Sequence, residues 1–170
     1  MGTGQVKIII FALSGIGDAL LFSPALKLLR QKFPHARIEL IAMFRAVAEL
    51  YERNPELNGV RFWNFLAVNP ISTLIFILQL RRERFDISVN VYPANRWPYN
   101  LISFLVGAKK LLGHDYNHVN VRSLNFLNNV RVREDDAIHN VQENKRLVER
   151  IGVDASAPLP SLQIFIDPKD

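Results

Sequence analysis

Hydrophobic positions along the chain follow two alternating patterns. Short continuous apolar runs, such as residues 6–12 and 37–43, are rich in β-branched residues and are typical of strands buried on both faces of a parallel sheet. Between these runs, apolar residues recur every three or four positions, as in helices with one buried face. The alternation predicts an α/β fold with a Rossmann-like, doubly wound and mostly parallel sheet and right-handed crossovers.

The pattern predicts five strands and five helices. The strands cover residues 6–12, 37–43, 60–65, 85–91 and 108–112, and the helices cover residues 19–32, 46–53, 71–84, 99–106 and 136–151. Residues 115–132 contain several asparagines and have no clear period, so we expect an irregular excursion with at most one short strand. Asp135 or Asp136 is the expected N-cap of the last helix.

The length of 170 residues corresponds to one domain with a substantial core. Residues 155–160 (ASAPLP) are typical of a linker, and residues 161–166 resemble the beginning of a further strand. We therefore expect a domain over residues 1–154. We expect residues 155–170 to form a linker and the start of a second domain that this chain lacks.

Composition narrows the classes of function. The chain has no cysteine, which excludes disulfides, cysteine-ligated zinc, iron–sulfur clusters and thiol nucleophiles. Its net charge is +5, and residues 1–85 carry the whole excess. Because no basic run exceeds the arginine cluster at residues 81–84, we expect an anionic small molecule or a membrane surface as partner, and no nucleic acid. Polar residues interrupt the apolar stretch 62–80, which argues against a membrane-spanning helix.

Two loops follow predicted strands and carry unusual chemistry, residues 14–18 and 92–97. Ligands of doubly wound sheets bind at the carboxyl ends of the strands, where such loops lie. Gly15 and Gly17 invite comparison with a dinucleotide-binding loop, but Leu20 stands at the third glycine position and no acid ends the second strand. A nicotinamide enzyme is therefore the weakest of the alternatives. The two glycines and a following helix start would still suit an anion or a sugar hydroxyl.

Asp18 is the candidate catalytic residue, with two interpretations. It either caps the following helix or places a carboxylate at the mouth of the crevice, where it can accept a proton from an alcohol nucleophile. The helix N-terminus would lower the pKa of Asp18, whereas burial beneath a substrate would raise it. Catalysis as a base requires burial to dominate.

Other polar residues give weaker signals. Arg96, followed by Trp97, is either an anion clamp or a surface guanidinium over an aromatic ring. His139 is expected to face solvent. His114 and His118 have the spacing of a helical metal site, but the segment has no helical pattern, so we predict no metal and no cofactor.

The sequence resembles a known family at two segments. Residues 7–43 (KIIIFALSGIGDALLFSPALKLLRQKFPHARIELIAM) and residues 139–154 (HNVQENKRLVERIGVD) are similar to the ADP-heptose lipopolysaccharide heptosyltransferases, glycosyltransferase family 9. The resemblance implies a two-domain GT-B enzyme that transfers heptose with inversion, without a metal, at the cytoplasmic face of the inner membrane. Its N-terminal domain holds the acceptor and its C-terminal domain binds the ADP-sugar donor.

The resemblance also assigns residues. It implies that Asp18 is the general base and that Ser14, Gly15 and Gly17 form the substrate-binding loop; to these we add Arg96 for an acidic sugar or lipid acceptor. The chain would be the N-terminal half of such an enzyme, inactive without the donor-binding domain, cytoplasmic and peripheral to the membrane. The alternative is a non-catalytic Rossmann-like module that binds an anionic ligand or a partner protein.

Overall fold

A computed structural model describes residues 4–116 and 120–165, without the side chains of residues 120 and 121. Six strands form one sheet in the order β3-β2-β1-β4-β5-β6, and every neighbouring pair is parallel. The sequence prediction of a Rossmann-like, doubly wound α/β sheet is therefore confirmed. The strands are β1 Lys7–Ala12, β2 Arg37–Ala42, β3 Gly59–Phe62, β4 Ile87–Asn90, β5 Lys110–Asp115 and β6 Val130–Arg133.

The helices form one layer on each face of the sheet. They are α1 Ile16–Leu20, α2 Ser23–Lys32, α3 Arg45–Tyr51, α4 Pro70–Arg82, α5 Trp97–Val106, α6 Asn120–Ser123 and α7 Asn140–Glu149, with a 3-10 turn at Asn125–Leu127. Residues of α1, α2, α3 and α7 share one hydrophobic core with one face of the sheet, and residues of α4 and α5 share a second core with the other face. Strand β1 supplies both cores, because its successive side chains point to opposite faces.

A buried ion cluster lies at the amino-terminal end of the second core. Glu39 of β2 is buried and forms ion pairs with Arg37 and with Arg61 of β3, the latter at 2.6 Å. Both arginines also bind Glu83, which follows α4. Burial raises the pKa of Glu83, but the two guanidinium groups outweigh that effect and lower it. The cluster joins two strands to the end of α4.

Several predicted element boundaries are wrong. The predicted helix 19–32 is two helices, separated at residues 21 and 22, and the first begins at Ile16. Strand β5 continues through Gly113 and His114, which were expected to end it. Helix α7 begins at Asn140 and its N-cap is His139, whose Nδ1 accepts a hydrogen bond from the amide of Val141, so neither Asp135 nor Asp136 caps it.

Of the predictions for residues 115–132 and 161–166, the structure agrees with the first and not with the second. Residues 115–132 include α6, the 3-10 turn and the start of β6, which is the one short strand expected there. Residues 161–165 form no strand, contrary to the expectation for residues 161–166, of which the last lies outside the described residues. The amide of Gln163 instead donates to the hydroxyl of Ser23. His118 also lies outside the described residues.

Among the residues that the structure describes, none of the helices has the length and hydrophobicity needed to span a bilayer.

Candidate functional site

The candidate site lies where the strand order changes direction. Strand β1 pairs with β2 on one side and with β4 on the other, so the loops that follow β1 and β4 leave the sheet beside each other. The hydroxyl of Ser14 donates a 2.7 Å hydrogen bond to the carbonyl of Pro93 and ties the two loops together. The juxtaposition of the loops at residues 14–18 and 92–97 is thus observed, at the place where doubly wound sheets bind ligands.

Asp18 is the third residue of α1, and the interpretation of Asp18 as the helix cap is wrong. The N-cap is Gly15, and no side chain caps this helix. The Asp18 carboxylate is half-buried and makes no hydrogen bond or ion pair with the described residues. Burial raises the pKa of Asp18. The shift has the direction expected from burial and is opposite to the direction expected from the helix N-terminus.

Helix α1 is held against the core by α3. The buried Tyr51 of α3 donates a 2.5 Å hydrogen bond to the carbonyl of Ala19, the residue next to Asp18. Ala19 itself is buried in the core. The backbone that carries Asp18 is therefore held by packing on one side while its carboxylate remains open on the other.

Neither backbone conformation nor packing among the described residues requires glycine at positions 15 and 17. Gly15 has an ordinary φ of −65°, and Gly17 has no positive φ. A Cβ atom added to either residue would meet nothing within 4 Å, because both are exposed. The packing of the described residues therefore does not require a small residue here, and the space next to the loop is open to a ligand.

Arg96 lies at the mouth of an apolar cavity of about 470 Å³ between α4 and α5. It precedes α5, is exposed, and its guanidinium makes no ion pair or hydrogen bond with the described residues. Leucine and aromatic side chains dominate the cavity wall, among them Leu66, Leu74, Trp97, Leu101 and Leu105. Asp18 does not line this cavity, so Asp18 and Arg96 share an edge of the sheet but not a pocket.

Tyr99 is a site residue that the sequence analysis missed. It lines the same cavity as Arg96 and is largely buried. Burial raises the pKa of its hydroxyl, the positive charge of Arg96 lowers it, and the negative charge of Asp18 raises it. Tyr99 therefore lies within electrostatic range of both predicted site residues. The only sequence signal was its position just after Trp97 and Pro98.

Buried amides hold the loop that precedes Arg96. The side chain of Asn100 donates to the carbonyl of Ala94 at 3.1 Å and to that of Ser123 at 2.8 Å. Its oxygen accepts hydrogen bonds from Asn90 and Asn128. Three asparagines from different elements thus fix one loop. The sequence does not show that they meet, because other elements separate them along the chain.

Arg45 is a second cation at this edge of the sheet and was also missed. It begins α3, directly after β2, and its guanidinium lies 4.5 Å from the ring centroid of Phe62. The stacking orients the exposed guanidinium, and such a cation–π contact contributes about 0.5–1 kcal/mol. Among the described residues no group of His, Asp or Glu is arranged to hold a metal ion.

Sequence comparison gives two curated relatives, and no family model matches. The chain is 26% identical over 106 residues to lipopolysaccharide heptosyltransferase 3 of Escherichia coli, covering 60% of this chain and 30% of that protein. It is 23% identical over 145 residues to the protein of the same name from E. coli strain K12, covering 81% and 40%. Both relatives are heptosyltransferases, so the chain is similar in sequence to that family.

Structural comparison finds the same fold in solved heptosyltransferases. The fold superimposes on E. coli ADP-heptose lipopolysaccharide heptosyltransferase II with a TM-score of 0.77 and 19% identity, over 96% of this chain and 48% of that one. The described fold is therefore that of about half of a GT-B heptosyltransferase. The alignments cover less than half the length of each curated heptosyltransferase as well.

Proposed function

We propose that this chain is the N-terminal, acceptor-binding domain of an inverting glycosyltransferase that moves heptose from ADP-heptose to the lipopolysaccharide core. The domain would cover residues 1–154, with residues 155–170 as the linker and the start of the donor-binding domain. The observation that carries the proposal is the half-buried Asp18 carboxylate with its raised pKa, beside an open glycine loop where the strand order reverses. The similarity to heptosyltransferases supports the reaction class.

Inversion needs one displacement and one base. The acceptor hydroxyl oxygen forms a bond to the anomeric carbon of the heptose while the bond from that carbon to the diphosphate oxygen breaks, and the electron pair leaves with ADP. The hydroxyl proton passes to Asp18. Because burial raises the pKa of Asp18, its carboxylate is a stronger base than an exposed aspartate would be.

The open loop and the cations suit an anionic acceptor. The exposed Gly15 and Gly17 leave space for a sugar to approach the start of α1, and Ser14 holds this loop against the loop that leads to Arg96. The free guanidinium of Arg96 would bind a phosphate or carboxylate of the acceptor. Neutralising the ADP leaving group is a task for the donor-binding domain, so the isolated chain would not catalyse transfer.

The proposed setting is the cytoplasmic face of the inner membrane, with peripheral contact. Two observations support it: the lipid-linked acceptor that the family name implies, and the excess of positive charge. Cations near an anionic leaflet each contribute about 1 kcal/mol to association.

Calorimetric titration of the chain tests the acceptor-binding role. We expect an anionic core oligosaccharide to bind and ADP-heptose not to bind. Arg96→Gln should weaken oligosaccharide binding by about tenfold, which corresponds to one lost charged contact. Arg150→Gln, which removes an exposed cation at the end of α7, is the matched control and should bind normally. Binding of ADP-heptose alone, or of neither ligand, would favour the non-catalytic module.

Transfer by the full-length protein tests the base. Asp18→Asn should bind acceptor normally but lower the transfer rate by about 10²–10⁴-fold, the usual worth of a general base. Asp154→Asn, which removes an exposed carboxylate after α7, is the control and should transfer at the normal rate. A normally folded Asp18→Asn protein with the normal rate would disprove the assignment.

A further inference from the structure

Helix α4 has two apolar faces, of which the sheet covers one. Phe76, Ile77 and Leu80 pack into the second core. On the opposite face, the side chains at four helically spaced positions are exposed: Ile71 by 74%, Leu74 by 51%, Ile75 by 52% and Leu78 by 45%. Amphipathic helices of globular proteins present polar residues on that face. This outer stripe of α4 is therefore apolar without a partner in the described structure.

Helix α5 continues the same surface. It packs beside α4, and both helices run antiparallel to the strands, so their outer faces lie side by side. Trp97 is 54% exposed and Phe104 is also exposed, both on the side of α5 away from the sheet. The exposed loop residue Leu66 lies at the rim of the cavity between the helices. We name this surface the α4–α5 face; it consists of Leu66, Ile71, Leu74, Ile75, Leu78, Trp97 and Phe104.

The charges around the α4–α5 face are predominantly positive. Neither helix contains an Asp or Glu, and residues 57–114 hold seven Lys and Arg against two acids, an excess that equals the net charge of the whole chain. Both acids are engaged, Glu83 with arginines of the ion cluster and Asp86 with Lys109. The exposed Arg82 lies on the outer stripe of α4 itself, one turn beyond Leu78. The surface is thus apolar in the middle and positive at its end.

We propose that the α4–α5 face rests on the surface of an anionic bilayer. The apolar stripe would enter the boundary between headgroups and acyl chains, with α4 lying flat over its length of about 20 Å. Arg82 would extend its guanidinium to lipid phosphates, and Trp97 would lie at headgroup depth. A tryptophan, an apolar stripe and uncompensated cations on one face are the combination that interfacial helices use.

Charge favours a bilayer over a second copy of the chain. Two α4–α5 faces in contact would bring two segments of the same positive charge together, and these would repel each other across an interface of low dielectric constant. An anionic lipid surface instead attracts the same charges and accepts the same apolar side chains. A complementary acidic protein surface, including one on the proposed donor-binding domain, is the remaining occupant, and absence of vesicle binding would favour it.

The proposed docking also orients the site. The amino-terminal ends of α4 and α5 lie at the carboxyl edge of the sheet, which is the edge that carries Asp18 and Arg96. A bilayer beneath the α4–α5 face would therefore lie beside this edge. The inference deepens the proposed function, on which the choice of membrane rests, yet vesicle binding is measured without any sugar transfer.

Sedimentation with vesicles tests the docking. We expect the chain to pellet with vesicles of phosphatidylglycerol and phosphatidylethanolamine, to pellet at least tenfold less with phosphatidylcholine vesicles, and to be released by high salt. The fluorescence of the exposed Trp97 should shift to shorter wavelength on binding, and Trp97→Phe should abolish the shift. Trp63 should not contribute to it, because that ring is stacked on Phe76 within the fold.

Variants locate the surface. Leu74→Glu and Leu78→Glu alter exposed side chains, so the fold should persist, and each should lower partition onto anionic vesicles by about tenfold or more. Arg82→Glu should weaken binding to anionic vesicles and make the remaining binding less sensitive to salt. Leu162→Glu is the matched control, because Leu162 is 47% exposed but lies outside the α4–α5 face, and it should bind as the wild type does.

Three results would overturn the docking. They are absence of vesicle binding, equal binding to neutral and anionic vesicles, and unchanged binding by both leucine variants. A concentration-dependent dimer in analytical ultracentrifugation that Leu78→Glu dissociates would assign the face to a second copy instead. Vesicle binding with a failed oligosaccharide titration would leave the docking intact and reject the acceptor-binding role, so the two failures are distinguishable.

Discussion

The ionised carboxylate of Asp18 is less stable in the folded protein than that of an exposed aspartate would be. Its carboxylate is half-buried, no described side chain donates a hydrogen bond to it, and its pKa is raised. A raised pKa in the folded state means that the ionised carboxylate destabilises the fold, since ionisation is easier in the unfolded chain. Residues held in this way are typical of sites at which a substrate supplies the missing contacts.

We therefore predict that Asp18→Asn does not destabilise the protein. The penalty on the ionised carboxylate is complete above the folded-state pKa and absent below the unfolded-state value of about 3.9. At neutral pH the variant should unfold at a temperature equal to or slightly above that of the wild type, and the difference should vanish in acid. Thermal unfolding by circular dichroism at neutral and acidic pH measures this. A clear loss of stability at neutral pH would contradict it.

A second prediction concerns the glycine loop. Gly15→Ala adds a methyl group to open space at an ordinary φ, so no clash is expected, and the folded protein should lose at most about 1 kcal/mol because alanine is a poorer N-cap than glycine. If the loop binds an acceptor sugar, the same methyl group should weaken oligosaccharide binding. Urea unfolding and the calorimetric titration on one sample give both quantities. Unchanged binding would show that the ligand does not approach Gly15.

At the scale of the element, Gly113 shows why a strand boundary was mispredicted. Glycine after an apolar run predicts a strand end, yet β5 continues through it to Asp115. The residue is glycine because a Cβ atom there would collide with the side-chain amide of Asn128, which binds Asn100. A close approach between two segments, not a turn, fixes this residue, and sequence patterns do not distinguish the two cases.

We predict that Gly113→Ala is strongly destabilising. The methyl group would displace the buried Asn128, and its hydrogen bond to the Asn100 oxygen would be lost, at about 0.5–1.5 kcal/mol for that bond alone. Urea unfolding should show a loss of at least about 2 kcal/mol. Gly59→Ala is the control, because a Cβ atom at Gly59 meets nothing within 4 Å. Equal stability of the two variants would refute the steric argument.

Elements with a strong period were predictable, and those defined by distant contacts were not. Strand β1 was predicted within one residue because its apolar run is buried on both faces. The start of α7 was placed several residues too early because it depends on His139 as the N-cap, a residue that rarely has this role. Likewise, the split between α1 and α2 depends on packing that the amphipathic pattern of residues 19–32 does not show.

At the scale of the whole molecule, a buried pair of side chains, Glu143 and His114, joins α7 to β5. Glu143 of α7 accepts a 2.7 Å hydrogen bond from the amide of Asp135, lies 3.0 Å from Arg146, and lies 3.2 Å from Nε2 of the buried His114. Burial alone would raise the pKa of Glu143, but His114, the amide and Arg146 together lower it. The pair fastens the last helix, which follows the sheet, to one of its strands.

This pair predicts sensitivity to acid. A lowered pKa means that ionised Glu143 stabilises the fold above its unfolded-state pKa of about 4.3, and that this contribution is lost as pH falls through the lower folded-state value. Glu143→Gln should lower the free energy of unfolding by about 2–3 kcal/mol at pH 7 and by less in acid. Urea unfolding at several pH values tests it, with Glu149→Gln, on a more exposed ion pair of the same helix, as the control. A deficit that does not depend on pH would contradict the assignment.

The topology and the meeting of the two loops at the candidate site were predictable because they follow from general rules. Alternating strands and helices imply right-handed crossovers, and a sheet of this kind has its ligand edge at the carboxyl ends of its strands. The loops that carry Asp18 and Arg96 meet there. Their surroundings were not predictable, because Tyr99, Arg45 and the asparagine cluster reach the edge through contacts between residues that are far apart in sequence.

The ion cluster around Glu39 has a consequence for how the sheet assembles. Glu39 faces Gly59 across the pair β2 and β3, which places Arg61 within reach of its carboxylate. If β2 entered the sheet shifted by one residue, its side chains would exchange faces, and Glu39 would be forced among aliphatic groups with no counter-ion. Pairing these strands in a shifted register therefore has an electrostatic cost. A single acidic residue thus disfavours incorrect strand registers during folding.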